Sequence, residues 1–214
     1  MFQFIKEFRQ RVKFWKTEDK LGPDFPWNYW RLFFPSKMIA ICKKKFKYFH
    51  DSAQFRPGAY ARVCSKISIG KRVVIRPNTM LCASPPEFGD RGQIIIEDDV
   101  LIASGVQVHT DEHIFDDPDV PIIDQGYCTP KDIIIKKGAW IGANCVLLGG
   151  AVIGENSVIG AGSVILGEIP ARSVAFGSPA KVVRKIIKGE FRENQPLIDP
   201  GVSWYSPYSY KNEK

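Results

Sequence analysis

Residues 141–165 read IGANCVLLGGAVIGENSVIGAGSVI, and every sixth residue of this stretch is aliphatic. The spacing continues to Ile135 on the amino-terminal side, and the same phase recurs further upstream. A small residue stands two positions before each later member of the run, as Ala139 does before Ile141. The aliphatic positions are Ile69, Ile75, Leu81, Ile96, Ile102, Val108, Ile135, Ile141, Leu147, Ile153, Ile159 and Ile165.

This period of six excludes an amphipathic helix, whose apolar face recurs about every 3.6 residues, and differs from the period of two in a half-buried strand. It is typical of short strands joined by tight bends, with each hexad forming one flat face of a triangular coil. The aliphatic side chains then point inward and stack on their equivalents in neighbouring coils. Twelve such positions predict four coils of three faces between about residues 67 and 169.

The quoted stretch, followed by GSPAKVVRKI at 177–186, resembles the hexapeptide-repeat acyltransferases. Within them it is most similar to the sugar and polysaccharide O-acetyltransferases of the maltose, galactoside and O-antigen type. The resemblance covers roughly residues 67–187. It implies an all-β, left-handed parallel β-helix, acetyl-coenzyme A as cosubstrate, and a homotrimer with active sites between subunits. The left hand is implied by the resemblance alone, because crossovers between parallel strands are normally right-handed.

Three segments are predicted along the chain. Residues 1–65 form a leader that packs on the main domain, residues 66–178 form the β-helix with an extended loop at 109–132, and residues 179–214 form a helix and tail. The predicted α-helix is short and amphipathic and lies over the last coil, because four aliphatic residues fall at helical spacing. These residues are Val182, Val183, Ile186 and Ile187.

The leader is basic and aromatic, with PWNYWRLFFP at 26–35 and CKKKFKYFH at 42–50. One interpretation is that its aromatic residues pack against the main domain while its lysines face water. The other is a patch for the surface of an anionic membrane, since aromatic rings beside lysines suit the headgroup region. Both interpretations remain open at this point.

Composition favours a folded protein of a reducing compartment. Hydrophobic residues make up 44% of the 214 residues, charged residues 25%, and the net charge is +7. Five cysteines are scattered without CxxC spacing, and no stretch has the length of apolar sequence needed to span a membrane. We expect a cytoplasmic protein, with peripheral contact at the inner membrane face as a hypothesis. No metal site is expected, and no nucleic-acid-binding module is recognised.

The six-residue phase breaks between Val108 and Ile135, which are 27 residues apart, so a loop must leave the coil there. It reads HTDEHIFDDPDVPIIDQGYCTP at 109–130, and in the resembling enzymes an equivalent loop carries the catalytic histidine. His113 is therefore predicted to be the general base, because imidazole can accept a hydroxyl proton near neutral pH. Asp111 is predicted to orient it. Rival acids in the loop are Glu112, Asp116 and Asp117.

The remaining site residues rest on the resemblance, apart from His109. By resemblance, Asn78 is predicted to hold the acceptor and Trp140 either to wall the acyl site or to pack in a subunit contact. His109 follows Val108 on the last hexad before the loop, and either orients the substrate or ends the strand. Cofactor-binding residues are predicted at two corner positions and in the segment after the coil, namely Ala143, Ala161, Lys181 and Arg184. The chain departs from the family at Leu166–Gly167, where relatives commonly have Thr-Lys, so one polar contact to the cofactor is absent.

The predicted reaction is acetyl transfer from acetyl-coenzyme A to a sugar hydroxyl in cell-surface polysaccharide biosynthesis. The acceptor class depends on TDEHIFDDPDVPI at 110–122, which resembles polysaccharide-modifying members of the family. One alternative is an acetyltransferase for serine, an antibiotic or an amino sugar. Others are a zinc enzyme of the γ-carbonic anhydrase type, which needs three histidine ligands, and a non-catalytic β-helix scaffold.

Overall fold

The computed structural model of the chain describes residues 2–188. The described residues form three α-helices, α1 (Phe2–Thr17), α2 (Pro26–Tyr29) and α3 (Pro35–Lys45). Short 3-10 helices occur at Trp30–Phe33, Cys64–Lys66, Pro86–Phe88 and Ile122–Asp124. The strands are β1 (Lys20–Leu21), β2 (Tyr48–Phe49), β3 (Gln54–Phe55), β4 (Tyr60–Arg62), β5 (Ile67–Ile69), β6 (Val74–Ile75), β7 (Met80–Cys82), β8 (Ile94–Ile96), β9 (Leu101–Ile102), β10 (Gln107–His109), β11 (Ile133–Ile135), β12 (Trp140–Ile141), β13 (Val146–Leu148), β14 (Val152–Ile153), β15 (Val158–Ile159), β16 (Val164–Ile165), β17 (Glu168–Ile169), β18 (Ser173–Gly177) and β19 (Ala180–Lys185).

The strands make three sheets that form the faces of a triangular coil. Sheet A has the order β1-β4-β7-β10-β13-β16, sheet B β17-β14-β11-β8-β5-β2, and sheet C β19-β18-β15-β12-β9-β6-β3. Each coil contributes one strand to each sheet, and strands of successive coils pair in parallel, as Ile135 with Ile153 and Ile141 with Ile159. The sixth-position aliphatics are all buried. The predicted parallel β-helix with inward-stacked aliphatics is confirmed.

Glycine and asparagine form the corner between sheets C and A. Gly58, Asn78, Gly105, Asn144 and Gly162 succeed one another in the stack, and all have a positive φ, between 57° and 92°. Neighbouring corners are hydrogen-bonded, since the backbone N–H of each of the last four donates to a carbonyl of the coil before. The left-handed backbone conformation is open to glycine and, among other residues, best tolerated by asparagine.

The β-helix begins earlier than predicted. Strands β2 to β4 form a complete coil that pairs in parallel with β5 to β7, so the predicted start at residue 66 is too late. Phe49, Phe55 and Ala61 occupy the inward positions of this coil, six residues apart, and all are buried. Strands β17 and β18 begin a further coil at the other end.

The predicted C-terminal α-helix is wrong. Residues Ala180–Lys185 form β19, which pairs antiparallel with β18 after a turn at Ser178–Pro179, whose peptide bond is cis. β18 belongs to the last coil and would otherwise present unpaired backbone groups at the edge of sheet C. A returning strand satisfies them, and adjacent β-branched Val182 and Val183 favour that conformation. The predicted tail beyond residue 188 lies outside the described residues.

The leader closes the other end of the coil through α3. Met38, Ile41, Cys42 and Phe46 are buried, and the ring of Phe46 packs 5.4 Å from that of Phe55. Strand β1 pairs antiparallel with β4 at the edge of sheet A. The apolar core is therefore continuous from the leader through the coils.

Candidate active site

The long loop leaves sheet A after His109 and rejoins the coil at Ile133 in sheet B. Its first residue, Thr110, is buried, and its hydroxyl lies 2.7 Å from the Ser84 hydroxyl and donates to the Gly92 carbonyl at 3.1 Å. At the other end the Asp132 carboxylate accepts a 2.8 Å hydrogen bond from the backbone N–H of Gln93, the residue before β8. Both ends of the loop are thus fixed to the body of the protein.

His113 lies on a short two-stranded segment within this loop. It forms an isolated antiparallel bridge with Tyr127, flanked by hydrogen bonds from Ile114 N–H to the Gly126 carbonyl at 3.1 Å and from Cys128 N–H to the Glu112 carbonyl at 2.8 Å. The ring centroids of His113 and Tyr127 are 4.2 Å apart, with planes inclined by 32°. His113 is exposed, so an aromatic ring supports one side of an imidazole that solvent and substrate can reach.

Asp111 does not orient His113 in this structure. Its side chain is only 7% exposed, and both carboxylate oxygens accept from Nη2 of Arg62, at 2.8 Å and 3.1 Å. The carboxylate is therefore committed to a guanidinium on sheet A. No hydrogen bond joins the His113 ring to Asp111, Glu112, Asp116 or Asp117 within the part of the chain that the structure describes.

Sequence reasoning missed Arg62, which the coil register brings to the base of the loop. Arg62 pairs with Cys82 and Cys82 with His109, so the three residues follow one another across sheet A. Arg62 lies in the coil that was assigned to the leader, and no local motif distinguishes it. Recognising the inward series Phe49, Phe55 and Ala61 would have supplied the register.

Arg62, His109 and Asp111 form one electrostatic cluster beside the loop. Burial lowers the pKa of His109, the nearby Asp111 carboxylate opposes that shift, and the Arg62 guanidinium adds to it. Burial also raises the pKa of the Cys82 thiol. The Nε of Arg62 is buried and has no hydrogen-bond partner in the described residues. Burial, reinforced by the Arg62 guanidinium, thus favours the neutral imidazole at His109.

The predicted cofactor positions Ala143 and Ala161 lie at the corner between sheets C and A, one coil apart. The backbone N–H of Gly162 donates to the Ala143 carbonyl at 2.8 Å, which stacks the two corners directly. Asn78 lies at the same corner, two coils before Ala143 on the amino-terminal side. It is exposed and has a φ of 64°. His113 instead projects from the corner between sheets A and B.

The other predicted contacts lie on or beside sheet C. Trp140 is half exposed and stands between Leu101 and Val158 on the outer face, where it lines a shallow groove of about 340 Å³. Lys181 and Arg184 are exposed on β19 at the edge of that sheet. Within a single protomer, His113 therefore projects from a different corner of the triangle than Ala143 and Ala161, and sheet A lies between the two corners.

Comparisons with known proteins match this architecture. The family model "Bacterial transferase hexapeptide (six repeats)" matches residues 132–167. A galactoside O-acetyltransferase of Lactococcus lactis subsp. lactis (strain IL1403) is 31% identical over 159 residues, covering 74% of this chain and 72% of the relative. The chain belongs to the hexapeptide-repeat O-acetyltransferases. This confirms the predicted enzyme class.

Solved structures of the family share the left-handed β-helix. A galactoside acetyltransferase in complex with coenzyme A superposes with a TM-score of 0.65 at 29% identity, over 75% of this chain and 78% of that one. A maltose O-acetyltransferase from Clostridium difficile 630 superposes with a TM-score of 0.60 at 26% identity, over 72% and 76%. Within residues 2–188 no three His, Cys, Asp or Glu side chains are grouped as metal ligands.

Proposed function

We propose that this O-acetyltransferase acetylates a sugar hydroxyl in cell-surface polysaccharide biosynthesis, with His113 as general base. The observation that carries the proposal is the placement of His113, an exposed imidazole fixed by backbone pairing on both sides and by the ring of Tyr127. A base needs this combination of fixed geometry and access to the acceptor.

The chemistry requires one transferable proton and no covalent enzyme intermediate. The acceptor oxygen attacks the thioester carbonyl of acetyl-coenzyme A while the imidazole of His113 takes the hydroxyl proton. The resulting tetrahedral species collapses by breaking the carbon–sulfur bond, and the imidazolium returns the proton to the departing thiolate of coenzyme A. Such a base typically supplies on the order of 10²- to 10⁴-fold in rate.

Cys128, in the same loop as His113, is the alternative nucleophile. It is exposed, and its thiol points to the His113 backbone carbonyl, with Sγ 3.7 Å from the oxygen. A direct transfer leaves Cys128→Ala active, whereas an acyl-enzyme route would abolish turnover in that variant.

The active site is proposed to form between subunits of a homotrimer. The support is the separation of His113 from Ala143, Ala161 and Lys181 within one protomer, since a second copy is needed to bring a loop against a cofactor groove. Closed cyclic symmetry is the common outcome for such assemblies. Native mass spectrometry should give a trimer, and a monomer would contradict the proposal.

Mixed trimers test shared active sites directly. His113→Ala lacks the base, and the double variant Lys181→Ala/Arg184→Ala has weakened cofactor binding. Mixing the two after unfolding and refolding should restore part of the activity if each site combines residues of two subunits. Mixed trimers no more active than the separate variants would contradict a shared site.

A sugar is the acceptor class that the relatives favour, since the similar proteins named above are galactoside and maltose acetyltransferases. The polysaccharide role depends on the similarity of residues 110–122 to polysaccharide-modifying enzymes. We place the reaction in the cytoplasm, where acetyl-coenzyme A is available and where the five free cysteines of the chain stay reduced.

The decisive experiment measures thiol release from acetyl-coenzyme A with mono- and oligosaccharides, serine and aminoglycosides as acceptors. Acceptor-dependent release with saccharides is expected for the wild-type protein and a fall of at least about 10²-fold for His113→Ala. His50→Ala is the matched control, since His50 lies in the first coil and bonds to Ser52. Equal turnover by wild type and His113→Ala would remove His113 from the mechanism, and turnover with serine or aminoglycosides alone would replace the sugar.

A further inference from the structure

Helix α1 is an amphipathic helix whose first part packs on nothing. None of its residues is buried, and Phe2–Arg11 is exposed throughout. Only its carboxyl-terminal part is anchored, through the ring of Phe14 against Phe25 and through an Asn28 side-chain hydrogen bond to the Trp15 carbonyl at 3.1 Å. Isolated helices of this length are marginal in water, so a partner surface is needed to stabilise α1.

The exposed part of α1 carries large apolar side chains on one side. Phe4 is 68% and Phe8 53% exposed, and helical spacing aligns them with Ile5 and Val12. Apolar residues of this size are normally removed from water, and a group of them marks an interaction site.

The segment that follows α1 also exposes large apolar side chains to solvent. It contains α2 and the adjoining 3-10 helix, and its bulky aromatic side chains are between 43% and 56% exposed. They are Trp27, Trp30, Phe33 and Phe34. Tryptophan at a surface suits a boundary between apolar and polar phases, because its ring is apolar and its indole N–H is polar. Phenylalanine adds apolar area that can enter the acyl region.

The charge on α1 decides the chemistry of the partner. Five cations occur in its sixteen residues against a single acid, Glu7. The cations are Lys6, Arg9, Arg11, Lys13 and Lys16. Two copies of such a helix would repel each other, whereas an anionic surface attracts them.

We infer that α1 together with α2 and Trp30–Phe34, here called the leader surface, docks on a bilayer that contains anionic phospholipids. The phenylalanines and tryptophans enter the headgroup and upper acyl region, and the lysines and arginines pair with lipid phosphates. No helix among residues 2–188 is long and apolar enough to cross a membrane, so the contact is peripheral. Membrane binding is independent of acetyl transfer and does not require the proposed function.

Vesicle co-sedimentation of the full chain tests the inference. Vesicles of phosphatidylcholine alone are compared with vesicles that also contain phosphatidylglycerol, at low and at physiological salt. We expect binding to the anionic vesicles, weakened by salt, and little binding to the neutral ones. Equal binding to both compositions, or no binding to either, would overturn the inference.

Variants identify the surface that binds. Phe4→Ser/Phe8→Ser is expected to lower partitioning at least about tenfold, because it removes two rings that enter the apolar phase. Lys6→Glu/Arg9→Glu is expected to abolish the preference for anionic lipid. The matched control is Phe176→Ser, an aromatic residue 54% exposed on β18 at the far end of the coil, which should bind like the wild-type protein. Loss of oligomerisation in Phe4→Ser/Phe8→Ser, with membrane binding unchanged, would instead assign the leader surface to a second copy.

Discussion

Arg62 and Asp111 are 49 residues apart in sequence, yet Nη2 of Arg62 lies 2.8 Å from Oδ2 of Asp111. The pair joins the first coil of the β-helix to the start of the loop that carries His113. Because the Asp111 side chain is almost fully removed from solvent, the Arg62 guanidinium is needed to compensate the charge of its carboxylate.

Arg62→Met should destabilise the protein and disorder the start of the loop, since it leaves a desolvated carboxylate without its partner. We expect a loss of about 1–3 kcal/mol in the free energy of unfolding, measured by urea denaturation, and a lower kcat. Adding Asp111→Asn should recover part of the stability, giving a positive coupling in a double-mutant cycle. Lys43→Met, which breaks the exposed pair with Asp51, is the control and should leave stability unchanged. Strict additivity of the two site variants would show that the pair contributes nothing.

His109 should make the protein sensitive to mild acid. Burial lowers the pKa of His109 from 6.5 in the folded state, so the unfolded chain binds the proton more tightly than the folded protein. The free energy of unfolding therefore falls as the pH drops below about 6.5, until the lowered pKa of the folded state is reached. His109→Gln should flatten this part of the profile in thermal melts between pH 5 and 8. An unchanged slope in His109→Gln would contradict the assignment.

Tyr127 should support catalysis through the position of the His113 ring. Tyr127→Ala removes the aromatic contact, and a contact of this kind is worth about 0.5–1.5 kcal/mol, which corresponds to a fall in kcat of up to about tenfold. KM for acetyl-coenzyme A should stay nearly constant. Tyr127→Phe keeps the ring and should retain activity. A Phe variant as impaired as the Ala variant would indicate a role for the hydroxyl instead.

Gly154 should contribute to stability because it allows two neighbouring coils to approach closely. A Cβ at this position would meet the backbone of Ala171 at 2.2 Å and that of Pro170 at 2.5 Å, and neither can move away independently. Gly154→Ala should cost about 1–3 kcal/mol in the free energy of unfolding. Gly167→Ala is the matched control, because nothing lies within 4 Å of its added Cβ, and it should be neutral or slightly stabilising. Equal melting temperatures for the two variants would argue against the close coil contact.

The aliphatic period predicted the coils because a triangular stack places an inward-facing, buried side chain at every sixth position. It failed where other side chains fill the same interior position. Phe49, Phe55 and Ala61 are neither uniform in size nor aliphatic in the usual sense, although Ala53 and Ala59 precede their successors by two residues as the pattern requires. A sequence criterion that accepted any apolar residue at the sixth position, aromatic rings and alanine included, would have found the first coil.

For the candidate site, sequence reasoning reached only residues that lie in a local motif, and their roles stay predictions. His113 stands in a segment that resembles the family loop, and the structure places it on an exposed segment that pairs with Tyr127. The sequence could not show that Asp111 pairs with Arg62 and not with His113, because Arg62 lies 49 residues away in the first coil. The C-terminal segment was predicted to be a helix because adjacent aliphatic pairs such as Val182 and Val183 satisfy helical spacing. It forms a strand instead, because it pairs with the free edge of β18.

In a β-helix every coil pairs with the next, so an uncovered end exposes unpaired strands to which another molecule could add. Molecules that joined end to end in this way would polymerise into a filament. Helix α3 covers the amino-terminal opening with side chains that belong to no repeat. At the opposite end β19 runs antiparallel to β18, whereas the coils pair through parallel strands. The edge of sheet C therefore has the wrong strand direction for parallel pairing with a further coil. Finite size is thus specified by the two irregular terminal elements, and shortening either of them should turn a discrete enzyme into an aggregating one.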